Sequence, residues 1–179
     1  MYLGQFEASR LKRIKKLLIG SSVEGYYNTN FTTAAFDNCV KLEELNLGGL
    51  TNAARAFDFT PNIYLKKLYT KGSGITGLTF AKNGRLKEAY LNAVASLYMN
   101  GLGLLETFDM ESYAGLTSIT IEDSPAVDSY TIVSAAVNLT HVRLIEIAWS
   151  VATAAYDVLV RLHGIHGIDD EGYMIQTTV

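Results

Sequence analysis

The chain has almost no cysteine. Its one thiol, Cys39, has no partner for an internal disulfide and cannot alone build a metal site or a redox pair, so a buried free thiol is expected. Positive charge is not in surplus either: 15 Lys and Arg face 18 Asp and Glu, a net charge of -3. That leaves no reserve for neutralising phosphates, and nucleic acid is not an expected partner. Long apolar runs are missing as well. The basic cluster Arg10, Lys12, Arg13, Lys15 and Lys16 is followed only by Leu17 to Ile19, too short for the core of an export signal. No segment is long enough to span a bilayer, so no membrane insertion is expected.

What the sequence does have is an apolar fraction of 49% in 179 residues, enough for one domain with a continuous core. It also has an internal repeat. Taking Leu42, Leu65, Leu86, Leu105, Leu116 and Leu139 as anchors, the third residue onward is Leu45, Leu68, Ala89, Phe108, Ile119 or Val142. The fifth is Leu47, Thr70, Leu91, Met110, Ile121 or Leu144, and six residues before the anchors stand Phe36, Phe59, Phe80, Met99, Met110 and Val133. Only Thr70 breaks the apolar rule. The intervening positions are polar or aromatic, so L-x-x-L-x-L alternates with period two, as a strand with one buried and one wet face must.

The anchors are 23, 21, 19, 11 and 23 residues apart. The 11-residue step leaves no room for a full return and predicts a collapsed coil or a change of direction. Weaker runs, Ile75-x-x-Leu78-x-Phe80 and Val94-x-x-Leu97-x-Met99, predict short extended segments on the return side in place of long helices. Repeats cannot bury their end faces alone and need caps. Ser150 can cap a helix over Val151 to His163 with Ala152, Ala155, Tyr156, Leu159 and Leu162 on one stripe, ended by Gly164. Ile14, Leu17 and Ile19 repeat the strand spacing as a degenerate first repeat. The expectation is a mainly β, right-handed, leucine-rich-repeat-like solenoid of six to seven irregular coils. Residues 1–30 form its N-terminal cap and degenerate repeat, 31–148 its repeats, and 149–179 its helical cap.

The stretch Ala35-Phe36-Asp37-Asn38-Cys39-Val40-Lys41-Leu42-Glu43-Glu44-Leu45-Asn46-Leu47 resembles the BspA-like form of leucine-rich repeat, in which A-F-x-x-C leads into L-x-x-L-x-L. Ala56-Phe57 repeats part of it, but the cysteine position becomes Asn62, Asn83 or Leu102, and a regular asparagine ladder is missing. The segments "LLIGSSVEGYYNT", "KGSGITGLTF", "LTSITIEDSPAVDSYTIV", "NLTHVRLI" and "GIDDEGY" are similar to repeat domains in tail or minor structural proteins of gut-bacterial phages and prophages. That resemblance implies a virion or bacterial cell-surface setting, within a longer chain, and brings no catalytic motif.

No catalytic, cofactor or metal residue is assigned. His163-x-x-His166 lies near Asp169, Asp170 and Glu171, but Gly164 and Gly167 interrupt any helix that could align the two imidazoles. Gly72-Ser73-Gly74 matches neither a phosphate-binding loop nor a nucleophile elbow and reads as a turn. Glu111, Glu122 and Asp123 read as solvated acids. The expected function is non-enzymatic recognition of a protein or surface glycan by the wet strand face.

That face consists of two rows at equal offsets from the anchors. One holds Glu44, Lys67, Glu88 and His141, with Lys16, Thr107 and Ser118; the other holds Asn46, Tyr69, Tyr90, Asp109, Thr120 and Arg143. Alternating charge in the first row sets strand register. Tyr69 beside Tyr90 offers rigid area with a polar handle, suited to protein contact or sugar stacking. The alternative expectation is a structural spacer or assembly subunit whose partners are copies of itself or other virion proteins.

Overall fold

The structure, a computed structural model, describes residues 11–19, 36–51, 55–81, 84–124, 127, 132, 135–147 and 175–177. Its strands are β1 (Lys16–Leu18), β2 (Glu44–Asn46), β3 (Ala56–Asp58), β4 (Lys67–Tyr69), β5 (Gly77–Ala81) and β6 (Glu88–Leu91). They continue as β7 (Ser96–Asn100), β8 (Thr107–Met110), β9 (Ser118–Glu122), β10 (His141–Ile147) and β11 (Ile175–Thr177). All pairings are parallel. One sheet runs β1-β2-β4-β6-β8 and the other β11-β10-β9-β7-β5-β3. From β2 to β9 the chain alternates between the sheets, so each coil supplies one strand to each: a two-sheet β-solenoid of four complete turns among the described residues, with extra strands at both ends.

This alternation explains the irregular spacing. Leu105 leads into β8 in the first sheet, whereas Leu116 leads into β9 in the second, where Ile119 pairs with Leu97. The 11-residue step is therefore half a coil, from one sheet to the other, and not a collapsed one. Leu116 and Leu139 belong with the return-side runs at Ile75 and Val94. The six anchors therefore mark strands of both sheets in one series, and they do not each begin a new coil. Within a sheet the spacing is regular: central residues Leu17, Leu45, Leu68, Ala89 and Phe108 lie 28, 23, 21 and 19 residues apart and pair in order.

The anchors point inward. Leu42, Leu65, Leu86, Leu105, Leu116 and Leu139 are all buried, as are Ile75 and Val94. Phe36, Phe57, Phe59 and Phe80 form an aromatic spine between the sheets, with Phe59 centroids 6.1, 6.2 and 5.8 Å from the other three. Beyond β9 the chain makes no further first-sheet strand in the described residues. Instead Val127, Ile132 and Ala136 enter the core. The helix expected over Val151 to His163, residues 1–10 and Val133 lie outside the described residues.

Polar side chains inside the solenoid span successive coils. Thr70, the one exception to the apolar rule, is buried. Its hydroxyl donates to Asn92 Oδ1 at 2.9 Å and accepts from the Asn92 backbone N–H at 3.1 Å. Asn92 Nδ2 in turn donates to the carbonyls of Ile75 (2.7 Å) and Ala93 (3.0 Å). One coil earlier, Asn62 at the cysteine position donates to the carbonyls of Phe36 and Cys39 at 3.0 and 3.1 Å. Buried backbone needs such partners wherever the chain turns between sheets. Cys39 itself is buried, and desolvation, helped by the nearby Asp37 charge, raises its thiol pKa. At Gly74 a Cβ would fall 2.3 Å from the Thr51 carbonyl oxygen, so the coils approach too closely there for any side chain.

Candidate functional site

The two rows expected on one wet face are divided between two faces. On the outside of the first sheet, register aligns Lys16, Glu44, Lys67, Glu88 and Thr107, and beside them Leu18, Asn46, Tyr69, Tyr90 and Asp109. Thr120, Arg143, Ser118 and His141 sit on the second sheet, paired among themselves and with Tyr98 and Ser96. They do not join the tyrosines. The correction follows from the half-coil between Leu105 and Leu116: equal offsets give equal side-chain direction only within one sheet.

On the first sheet the register is as expected. Tyr69 and Tyr90 are opposite each other on β4 and β6, both half-buried, with ring centroids 5.9 Å apart and planes inclined by 35°. The Lys67 ammonium lies 5.3 Å from the Tyr90 centroid, and the Tyr90 hydroxyl donates to Glu88 at 3.2 Å. Lys16, Leu18, Glu44, Asn46, Lys67 and the two tyrosines line an open groove of about 340 Å³. Asn46 Oδ1 accepts from the Gly48 N–H at 2.9 Å, which fixes the amide. Leu18 was missed from sequence. It is 61% exposed at the groove's end, and extending the second row back to the first repeat would have found it.

The charges flanking this groove are largely paired. Lys16 meets Glu44 and Lys67 meets Glu88, each at 2.5 Å. Lys71 meets Asp109 at 2.6 Å. The hydrogen bond from Lys67 lowers the Glu88 pKa and its reciprocal raises that of Lys67, so both remain charged at neutral pH. Along the neighbouring row Glu43 is held by Lys66 at 2.6 Å and Lys15 at 2.9 Å, and Lys87 by Glu106 at 2.5 Å.

Hydrogen bonds from Lys66 and then Lys15 pull the Glu43 pKa down to about 2. A carboxylate depressed in the folded state contributes stability above its unfolded pKa and loses it as pH falls through the folded value. Acid titration of wild type and Glu43→Gln should therefore agree more closely as pH falls from about 4.5 towards about 2, with wild type ahead at neutral pH. A constant difference between their melting temperatures across that window would remove the lysines' hold on Glu43.

The second sheet's outer face differs in kind. The row at the start of its strands is made of small residues, Ala56, Gly77, Ser96 and Ser118. A Cβ at Gly77 would lie 2.4 Å from Ser96 Oγ and 3.1 Å from Ala56 Cβ, so a side chain there would have to turn the Ser96 hydroxyl aside and crowd Ala56. Farther along, Glu122 accepts from Arg143 Nε at 2.6 Å, Asn100 Nδ2 at 2.7 Å and the Tyr98 hydroxyl at 3.3 Å. His141 is exposed, with Nδ1 3.0 Å from Thr140 Oγ1.

Among the described residues no group of three or more His, Cys, Asp or Glu side chains is placed to hold a metal ion. His163 and His166 lie outside those residues. No protein-family model, curated protein or solved structure matches the chain.

Proposed function

We propose that this solenoid is a non-enzymatic recognition module whose first-sheet face binds a protein or a surface glycan. The observation that carries the reading is the Tyr69–Tyr90 pair beside Asn46 and exposed Leu18 in one groove. Rigid aromatic area next to fixed polar groups is the chemistry of recognition surfaces. The paired charges leave little net charge along the groove and favour a ligand of little net charge. The leucine-rich-repeat resemblance, with right-handed coils and a helical end cap, and a setting in a phage tail or bacterial surface protein belong to this proposal. There the face would serve adhesion.

A glycan array and a pull-down from a bacterial host, with the folded chain as probe, test the proposal. Tyr69→Ala/Tyr90→Ala should weaken binding to the ligand found by at least about tenfold, while the lost cross-strand pair costs about 0.2 to 1 kcal/mol of stability. Unchanged binding by the double variant would assign the tyrosines to the scaffold. The ladder of ion pairs favours a second reading, a spacer or assembly subunit, because it joins successive coils internally. Light scattering that finds a strict monomer at high concentration would count against that one.

A further inference from the structure

Each first-sheet strand is entered through a tight turn whose two central residues are exposed, apart from half-buried Tyr64. The turns are closed by backbone hydrogen bonds from Ile14 to Leu11, Leu42 to Cys39, Leu65 to Asn62 and Leu105 to Leu102. Their central pairs are Lys12-Arg13, Val40-Lys41, Ile63-Tyr64 and Gly103-Leu104, and the turn at Gly84-Arg85 occupies the equivalent place. Coils stacked about 4.8 Å apart align these five turns into a ridge about 19 Å long.

The composition of that ridge is unlike the rest of the described surface. Of five large hydrophobic residues exposed there, three lie on it: Val40 (42%), Ile63 (51%) and Leu104 (54%). It also gathers Lys12, Arg13, Lys41 and Arg85, for which the described residues provide no carboxylate partner, whereas seven other cations are in ion pairs. Lys41 and Arg85, from the coils on either side, each lie 4.5 Å from the Tyr64 centroid. None of the turn-central residues is acidic; the nearest turn before them carries Asp37. Among the described residues, four cations without a carboxylate partner therefore gather on one edge of a chain whose net charge is -3.

We infer that this ridge is a peripheral docking surface for an anionic lipid bilayer. Aliphatic tips can enter the headgroup layer while lysine and arginine remain among the headgroups, the division that amphipathic side chains make at such interfaces. Each cation near an anionic leaflet strengthens attachment severalfold. A ridge one turn wide offers a protein partner neither a pocket for an anchor side chain nor the area of about 800 Å² that a standard interface takes from each side. A deformable lipid surface needs neither. The contact is peripheral, and no helix among the described residues is long and apolar enough to cross a membrane.

The test is co-sedimentation of the full chain with vesicles of phosphatidylcholine alone and of phosphatidylcholine with phosphatidylglycerol. Binding is expected only to the anionic vesicles and should weaken as salt rises. Lys12→Gln/Arg13→Gln/Lys41→Gln/Arg85→Gln should lose at least about tenfold in apparent affinity. Val40→Asn/Ile63→Asn/Leu104→Asn should also lose affinity but keep its salt dependence. The milder Lys41→Gln/Arg85→Gln and the salt titration of wild type guard against a variant that fails to fold. Tyr69→Ala/Tyr90→Ala should bind vesicles like wild type, which separates this surface from the groove. Wild type that ignores anionic vesicles, or charge variants that bind them unchanged, would overturn the inference. So would capture by polyglutamate without vesicle binding, which would point to an acidic protein.

Discussion

Phe59→Ala is expected to destabilise the chain by about 3–5 kcal/mol, the range for removing a buried aromatic ring from a core that cannot collapse around the gap. Phe59 is fully buried and its ring stands within about 6 Å of Phe36, Phe57 and Phe80, three residues from three successive coils. Losing it removes contacts on both sides of the spine. Coils in a solenoid are stabilised mainly by their nearest neighbours, so the damage falls on the interfaces that unite the first two sheet-to-sheet turns. Phe59→Leu should cost substantially less. Ile63→Ala, on the exposed turn that follows, should stay within about 0.5 kcal/mol. Urea denaturation of the three variants checks the order. An alanine at position 59 that costs no more than one at position 63 would mean the spine is misplaced.

The second large effect lies in the polar rung. Thr70→Val keeps the side-chain shape but leaves the Asn92 N–H and Oδ1 buried without the hydroxyl that now serves both. Each buried unsatisfied group costs about 1–3 kcal/mol, so a loss of about 2–4 kcal/mol is expected. Asn92→Leu should cost a similar amount, because it strips partners from the Thr70 hydroxyl and from the Ile75 carbonyl. The two changes share one interaction. Together they should fall short of their sum by at least about 1 kcal/mol in a double-mutant cycle. Additivity to within about 0.5 kcal/mol would show that the hydroxyl and the amide act separately.

Thr70 also illustrates what could be read from sequence. The period-two alternation placed the strands at Leu45, Leu68, Ala89, Phe108, Ile119 and Val142 and turned their anchors inward, because a half-buried strand leaves a strong local mark. The same motif stands on both sheets, however, and nothing in L-x-x-L-x-L says which sheet a copy belongs to. Leu105 and Leu116 therefore looked like consecutive repeats when they are the two halves of one coil.

The candidate face inherited that ambiguity. Asn46, Tyr69, Tyr90 and Asp109 share a sheet, as do Glu44, Lys67 and Glu88 beside them, whereas Thr120, Arg143 and His141 were carried across to the wrong side. A buried threonine at an apolar position was legible as an exception but not as a hydrogen-bonded rung, since Asn92 is a coil away in space and at no repeated offset. The basic ridge escaped notice for a related reason: Lys12, Lys41 and Arg85 come from turns far apart in the chain, which only the stacking of coils brings together.

The division of the strands between two sheets is tested most directly by disulfide trapping. Residues directly opposite on adjacent parallel strands are close enough for a disulfide, whose Cα atoms lie about 4.4–6.8 Å apart. Tyr98→Cys/Thr120→Cys, opposite each other on β7 and β9, should cross-link on mild oxidation and give a linked peptide by mass spectrometry. Asp109→Cys/Thr120→Cys, on the outer faces of opposite sheets, should remain reduced. The reverse pattern, a 109–120 link without a 98–120 link, would contradict the two-sheet solenoid and with it both proposed surfaces.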